Sequence, residues 1–90
     1  DVSRLTLGAL RQEGARGVSV SESEIEAAMA FAARTLRLVV EPGGAVALAA
    51  ALSGKAGPLS ERSVIVLSGG NVDPLVYAEI IANQARAAAL

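Results

Sequence analysis

Apolar and polar positions change period several times along the chain, and each change predicts an element. A weak helical stretch runs from Thr6 to Gln12, and Gly14 and Gly17 end it. Gly17-Val18-Ser19-Val20 then reads as a short strand. Ser21-Glu22-Ser23-Glu24 has the form of a capping box, in which Ser21 caps a helix and Glu24 reaches back to it. Ile25, Ala28, Met29, Ala32 and Leu36 follow at helical spacing and give that helix one apolar face. Glu22, Glu24 and Glu26 near its start and Arg34 and Arg37 near its end complement the helix dipole. Glutamates two apart do not share a helix face, so capping explains them better than an acidic cluster does.

Leu38-Val39-Val40 predicts a strand of two or three residues, and Pro42 biases Glu41 toward extended geometry. Gly43-Gly44 opens a helix over Ala45 to Leu52 that is apolar on every side, which predicts burial on every side. Gly54 stops it, and Gly54-Lys55-Ala56-Gly57-Pro58 is a loop. Val64-Ile65-Val66-Leu67 is unbroken apolar sequence, the pattern of a parallel strand covered on both faces. Ser68-Gly69-Gly70-Asn71 ends it. Asp73-Pro74 supplies an N-cap and a proline at the first helical position, and Tyr77, Ile80, Ile81, Ala85 and Ala88 mark the apolar face of a last helix. Strands alternating with helices predict an α/β layer with a parallel sheet.

Composition sharpens this. Of the 90 residues 52% are hydrophobic and 19% charged, with one Phe and one Tyr, so the apolar bulk is small and aliphatic. A chain this short buries only roughly 60% of the surface its unfolded form exposes. The combination suggests a piece of a larger core or half of a tight oligomer. Net charge is −1, with no basic run, which gives nucleic acid no footprint. Cysteine and histidine are absent, which excludes disulfides, zinc sites built on those ligands and histidine-based triads. The longest apolar run, Ala45 to Leu52, is far short of the about 20 residues of a membrane span. The start of the chain does not read as a signal peptide, so a cytoplasmic protein is expected.

Two segments carry candidate chemistry. Ser68-Gly69-Gly70-Asn71 leaves the end of the predicted buried strand and enters a helix, the edge at which open parallel sheets bind ligands. The same residues are ordinary turn chemistry. They are no Walker loop, because the Gly-Lys-Ser/Thr ending is missing. Glu41 stands before Pro42-Gly43-Gly44, either favouring the helix dipole or lining a site at that same edge. Lys55 is the only lysine, but a Schiff-base lysine needs burial or neighbouring charge, and a Gly/Pro loop offers neither.

Three segments in order, Val18-Ser19-Val20-Ser21-Glu22-Ser23-Glu24-Ile25, Leu38-Val39-Val40-Glu41-Pro42-Gly43-Gly44-Ala45 and Val64-Ile65-Val66-Leu67-Ser68-Gly69-Gly70-Asn71-Val72-Asp73, resemble the C-terminal third of the threonine/serine dehydratase and serine racemase family. These are fold-type II (tryptophan synthase β-like) pyridoxal 5'-phosphate enzymes. The resemblance implies that residues 1–90 are the C-terminal part of one catalytic unit, with no separate second domain. It implies that Ser68 hydrogen-bonds the cofactor's pyridine nitrogen, that Glu41 lies close to the ring, and that Gly69 and Gly70 keep the loop thin beside it. The family's Schiff-base lysine, phosphate loop, substrate-carboxylate loop and metal loop find no match. The 90 residues alone are therefore expected to hold no catalytic residue or metal and to be inactive. The implied activity is deamination of threonine or serine to a 2-oxo acid, in a homo-oligomer acting on a small amino acid. Serine racemase and hydroxyaspartate dehydratase are alternatives within the family. A non-catalytic α/β dimerisation module is the alternative outside it.

Overall fold

The computed structural model describes residues 4–6 and 17–89. Two short strands, β1 (Arg4–Thr6) and β2 (Ser19–Ser21), pair antiparallel, with Leu5 opposite Val20. Alternation along β2 sends Val20 into the core and leaves Ser19 exposed. The chain passes directly from β2 into helix α1 (Glu22–Phe31) through the capping box read from sequence. The Glu24 amide donates to Ser21 Oγ at 3.1 Å, and the Ser21 amide donates to Glu24 Oε1 at 2.8 Å. Two amides that the helix cannot satisfy are thereby paired.

After Phe31 the helix widens into a π turn over Ala32–Leu36, closed by Arg37 in the left-handed conformation at φ 60°. The Leu38 amide reaches back to the Ala32 carbonyl at 2.9 Å. Val40 then drops into the core while Leu38 and Val39 stay about half exposed. A 3-10 turn, Gly43–Ala45, leads into α2 (Val46–Leu52). The last helix, α3 (Pro74–Ala89), starts where Asp73 Oδ1 accepts the amides of Leu75 and Val76 at 2.8 and 3.2 Å.

Helix α1 packs against both α2 and α3, and β2 packs against α1 and α2. The core joins Val20, Ile25, Ala28, Met29 and Ala32 to Val40, Ala45, Leu48, Ala49, Ala50 and Ile80. Alanine dominates the α1–α2 contact, so the two backbones approach closely around Met29, the bulkiest fully buried side chain.

Several expectations differ from what is observed. Val64–Leu67 forms no strand, and Val64 is 86% and Val66 67% exposed. No backbone hydrogen bond involves Val64, Ile65, Val66 or Leu67 among the described residues. The sequence has strand character, but a strand exists only when a second backbone completes its ladder, and none lies beside it here. Leu38–Val40 lacks a ladder for the same reason. The parallel sheet is thus not seen among the described residues, where the one sheet is the antiparallel β1–β2 pair. Helix α2 is buried on the side facing α1 but not all round, since Leu52 is 49% exposed. Ala85 of the expected α3 face is exposed. Thr6 belongs to β1, and the rest of the first expected helix lies outside the described residues.

Candidate functional site

The two segments singled out from sequence meet. The Glu41 amide donates to the Gly69 carbonyl at 2.6 Å, and the Ser68 amide donates to the Gly44 carbonyl at 3.4 Å. Two main-chain bonds therefore join the turn before α2 to the turn after Leu67. Each turn is also closed internally, by Gly44 N–H to Glu41 O at 3.0 Å and by Val72 N–H to Gly70 O at 3.2 Å.

This junction leaves no room for side chains on its inner faces. A β-carbon on Gly44 would overlap the Ser68 carbonyl, and one on Gly69 would overlap the Glu41 carboxylate. Gly69 also has φ +74°, in the left-handed region that favours glycine. A β-carbon on Gly70 would stand 3.1 Å from the Val39 carbonyl oxygen. From sequence, Gly69 and Gly70 are marked as the thin part of the loop, and Gly44 reads only as the opening of a helix. The signal that could have marked Gly44 is the second glycine after Pro42, where one would suffice for a turn.

Beside the junction lies an open recess of about 150 Å³ lined by Leu38, Val39, Val40, Leu67, Ser68, Gly69 and Gly70. Its wall is aliphatic, its rim is backbone, and Ser68 supplies its one side-chain hydroxyl. Three of the four residues expected at the site, Ser68, Gly69 and Gly70, border it. Glu41 does not; its carboxylate occupies the space that a Gly69 β-carbon would take.

Lys55 sits apart, exposed in the loop after α2, with Nζ 2.9 Å from Glu24 Oε1. The Glu24 carboxyl lies below the ordinary glutamate value, first because the Ser21 amide donates to it and then because Lys55 bonds it. A larger cavity of about 290 Å³ lies between α1 and α3, lined by Glu22, Ile25, Glu26, Pro42, Val76, Glu79, Ile80 and Asn83. It contains none of the four residues expected at the site. Among the described residues, no group of His, Cys, Asp and Glu could hold a metal ion, and no helix is long and apolar enough to cross a membrane.

Residues 1–69, which include β2, α1, α2 and the recess as far as Gly69, match the family model described as pyridoxal-phosphate dependent enzyme. The chain belongs to that family. Its cofactor is pyridoxal phosphate. Among curated relatives of this family, an L-threo-3-hydroxyaspartate ammonia-lyase of Saccharomyces cerevisiae is 37% identical over 67 residues, 74% of this chain and 21% of that protein. An L-threonine ammonia-lyase of Geobacter sulfurreducens is 46% identical over 56 residues, 62% of this chain and 14% of that protein. A serine racemase of Schizosaccharomyces pombe is 38% identical over 64 residues, 71% of this chain and 20% of that protein. These are the names within the family that the sequence motifs resemble. The chain spans about a fifth or less of the length of these relatives. No solved structure matches it significantly.

Proposed function

We propose that these residues are the C-terminal part of the catalytic unit of a threonine (serine) ammonia-lyase, in which Ser68 faces the ring nitrogen of pyridoxal phosphate. The observation that carries this reading is the meeting of Glu41–Gly44 with Ser68–Gly70 at the edge of an aliphatic recess whose one side-chain polar group is a hydroxyl. The recess fits a flat heteroaromatic ring. Aliphatic side chains suit its faces, glycine backbone lets it approach, and the hydroxyl suits a ring nitrogen.

When bound, the cofactor supplies an electron sink for charge developing on the amino acid. The chain's own part is the state of the ring nitrogen. A serine hydroxyl is neutral and donates a hydrogen bond to an unprotonated nitrogen, whereas an aspartate would hold a proton there. A hydroxyl therefore keeps the sink weak. A weak sink suits β-elimination, in which the substrate hydroxyl departs promptly, and disfavours transamination. Glu41 acts through its amide, which donates to the Gly69 carbonyl and braces the turn that carries Ser68.

In this reading Val64–Leu67 is a strand of a parallel sheet whose neighbouring strands come from elsewhere in a larger unit, and the intact enzyme is a homo-oligomer in the cytoplasm. Lys55 does not serve as the Schiff-base lysine, because it is paired with Glu24 and takes no part in the recess. The 90 residues alone should turn over no threonine.

The test is Ser68→Ala in the full-length polypeptide. Dehydration should slow on the order of tenfold, the loss of one hydrogen bond, with the cofactor retained. Wild-type rates and spectra would remove Ser68 from the site. Product analysis separates the activities: 2-oxobutyrate or pyruvate marks the ammonia-lyase, D-serine a racemase and oxaloacetate a hydroxyaspartate lyase. No product and no cofactor uptake would favour a non-catalytic module.

A further inference from the structure

We propose that Gly44 is a positioning residue for Ser68, and that the missing side chain at position 44 sets where the Ser68 hydroxyl stands. The inference rests on the assignment of Ser68 to the ring nitrogen and adds to it a residue that does not itself border the recess. Gly44 is buried, and its α-carbon abuts the peptide group of Ser68 so closely that a β-carbon would overlap the Ser68 carbonyl oxygen. The obstacle is main chain, which cannot swing aside as the end of a side chain can. The Gly44 carbonyl also accepts the Ser68 amide at 3.4 Å. One glycine thus accepts the N–H of residue 68 and leaves the space that its C=O occupies.

The neighbouring glycines have different roles. Gly43 has nothing within 4 Å of its would-be β-carbon, so the same substitution there meets open space. Gly69 meets the Glu41 side chain, which can move, and its constraint lies in φ. Only at position 44 does an added methyl act directly on the backbone of Ser68. A hydrogen bond to a ring nitrogen depends steeply on donor position, so a displacement of several tenths of an ångström would weaken it without emptying the site.

The experiment uses the full-length polypeptide loaded with pyridoxal phosphate labelled with ¹⁵N in the ring. Four proteins are compared with the wild type: Gly44→Ala, Gly43→Ala, Ser68→Ala, and a semisynthetic protein in which an ester replaces the Ser68 amide. The ester removes the bond to Gly44 without adding bulk. We expect Gly44→Ala and the ester to move the ring-nitrogen resonance in the direction that Ser68→Ala moves it. For Gly44→Ala, kcat should fall about fivefold or more while KM holds, the effect of one weakened hydrogen bond. Gly43→Ala should leave both unchanged. A folded Gly44→Ala with wild-type resonance and kcat overturns the proposal, and so does an equal response from Gly43→Ala. If Gly44→Ala does not fold, the ester decides by the same resonance. If Ser68→Ala leaves the resonance unmoved, the assignment of Ser68 to the nitrogen has failed. The Ser68 amide in cofactor-free protein still tests Gly44 in that case: Gly44→Ala should speed its hydrogen exchange about fivefold or more, and unchanged exchange overturns the positioning role.

Discussion

Helix α2 and the segment Val64–Leu67 are both wholly aliphatic, yet most of α2 is covered while only Leu67 of the second segment packs against the core. In α2, Leu48 is 5% and Ala49 1% exposed, whereas Val64 and Val66 are 86% and 67% exposed. The difference lies in the backbone. A helix closes its hydrogen bonds within itself, so the seven residues of α2 need only apolar neighbours for their side chains, and α1 and β2 provide them. An extended segment has amides and carbonyls along both edges and side chains on two faces, so its burial needs other chain segments both beside it, to pair the backbone, and above or below it, to cover the side chains. Apolar sequence therefore reports that a segment is to be buried, and its backbone geometry decides how much of the molecule must be present for that to happen.

The sharpest way to break this comparison is a pair of truncations in the 90-residue chain. Leu48→Ala should lose about 2–5 kcal/mol in urea unfolding, because the contact with α1 leaves a cavity. Val66→Ala should change stability by no more than about 0.5 kcal/mol. Similar losses would mean that Val66 is covered as well. In the full-length polypeptide the second value should rise toward the first if neighbouring strands cover this segment. A smaller effect comes from the start of α1. Ser21→Ala removes the acceptor of the Glu24 amide and should cost about 1 kcal/mol by the same measurement. Since this cap serves the buried region, it should leave the exposure of Val64–Leu67 unchanged, as read by hydrogen exchange.

The smallest effect is in pH. The Glu24 carboxyl is depressed by the Ser21 amide and then by Lys55. A carboxyl depressed in the folded state contributes stability that is fully present above its unfolded value and is lost as pH falls through its folded value. The chain should therefore lose this contribution on the acid side of the ordinary glutamate range and keep it at neutral pH. Lys55→Met should make the acid loss shallower by a small amount, since the pair is exposed and solvent screens it. An unchanged acid limb would mean that the Ser21 amide alone sets Glu24.

What could be read from the sequence follows the same division. Local chemistry was legible: the Ser21–Glu24 box and the Asp73 cap need only neighbours within one turn, and both are formed. The amphipathic spacing of Ile25, Ala28, Met29 and Ala32 located the core face of α1 and the start of the π turn, whereas Leu36, expected on the same face, is 41% exposed because the widened turn carries it off that line. The Ser68–Gly70 turn and the Glu41 turn could be picked out singly and, through the family resemblance, assigned to one site, but no spacing rule gives the main-chain bonds by which they touch, because contact between distant segments depends on the path between them. Gly44 escaped notice on that account. Its constraint comes from Ser68, far along the chain, and from a carbonyl that no side-chain pattern reveals. Val64–Leu67 reads as a buried strand from its unbroken apolar sequence, yet it forms no strand and Val64 and Val66 are exposed, because among the described residues no second backbone lies beside it.

The π turn at Ala32–Leu36 has a consequence for length variation. A π turn holds one residue more than the α-helical turn it replaces, and each residue advances the chain by about 100° around the axis. The extra residue and Arg37 set where the chain leaves the helix, three residues before Val40 enters the core and Glu41 bonds Gly69. Removing one residue between 32 and 36 would restore ordinary helical periodicity. It would also move the helix exit relative to Val40 and Glu41 and should strain the burial of the first and the bond of the second to Gly69. Insertions and deletions should accordingly be tolerated in the Gly54–Pro58 loop, which changes no phase, and be rejected in this single turn, even though most of its side chains lie on the surface.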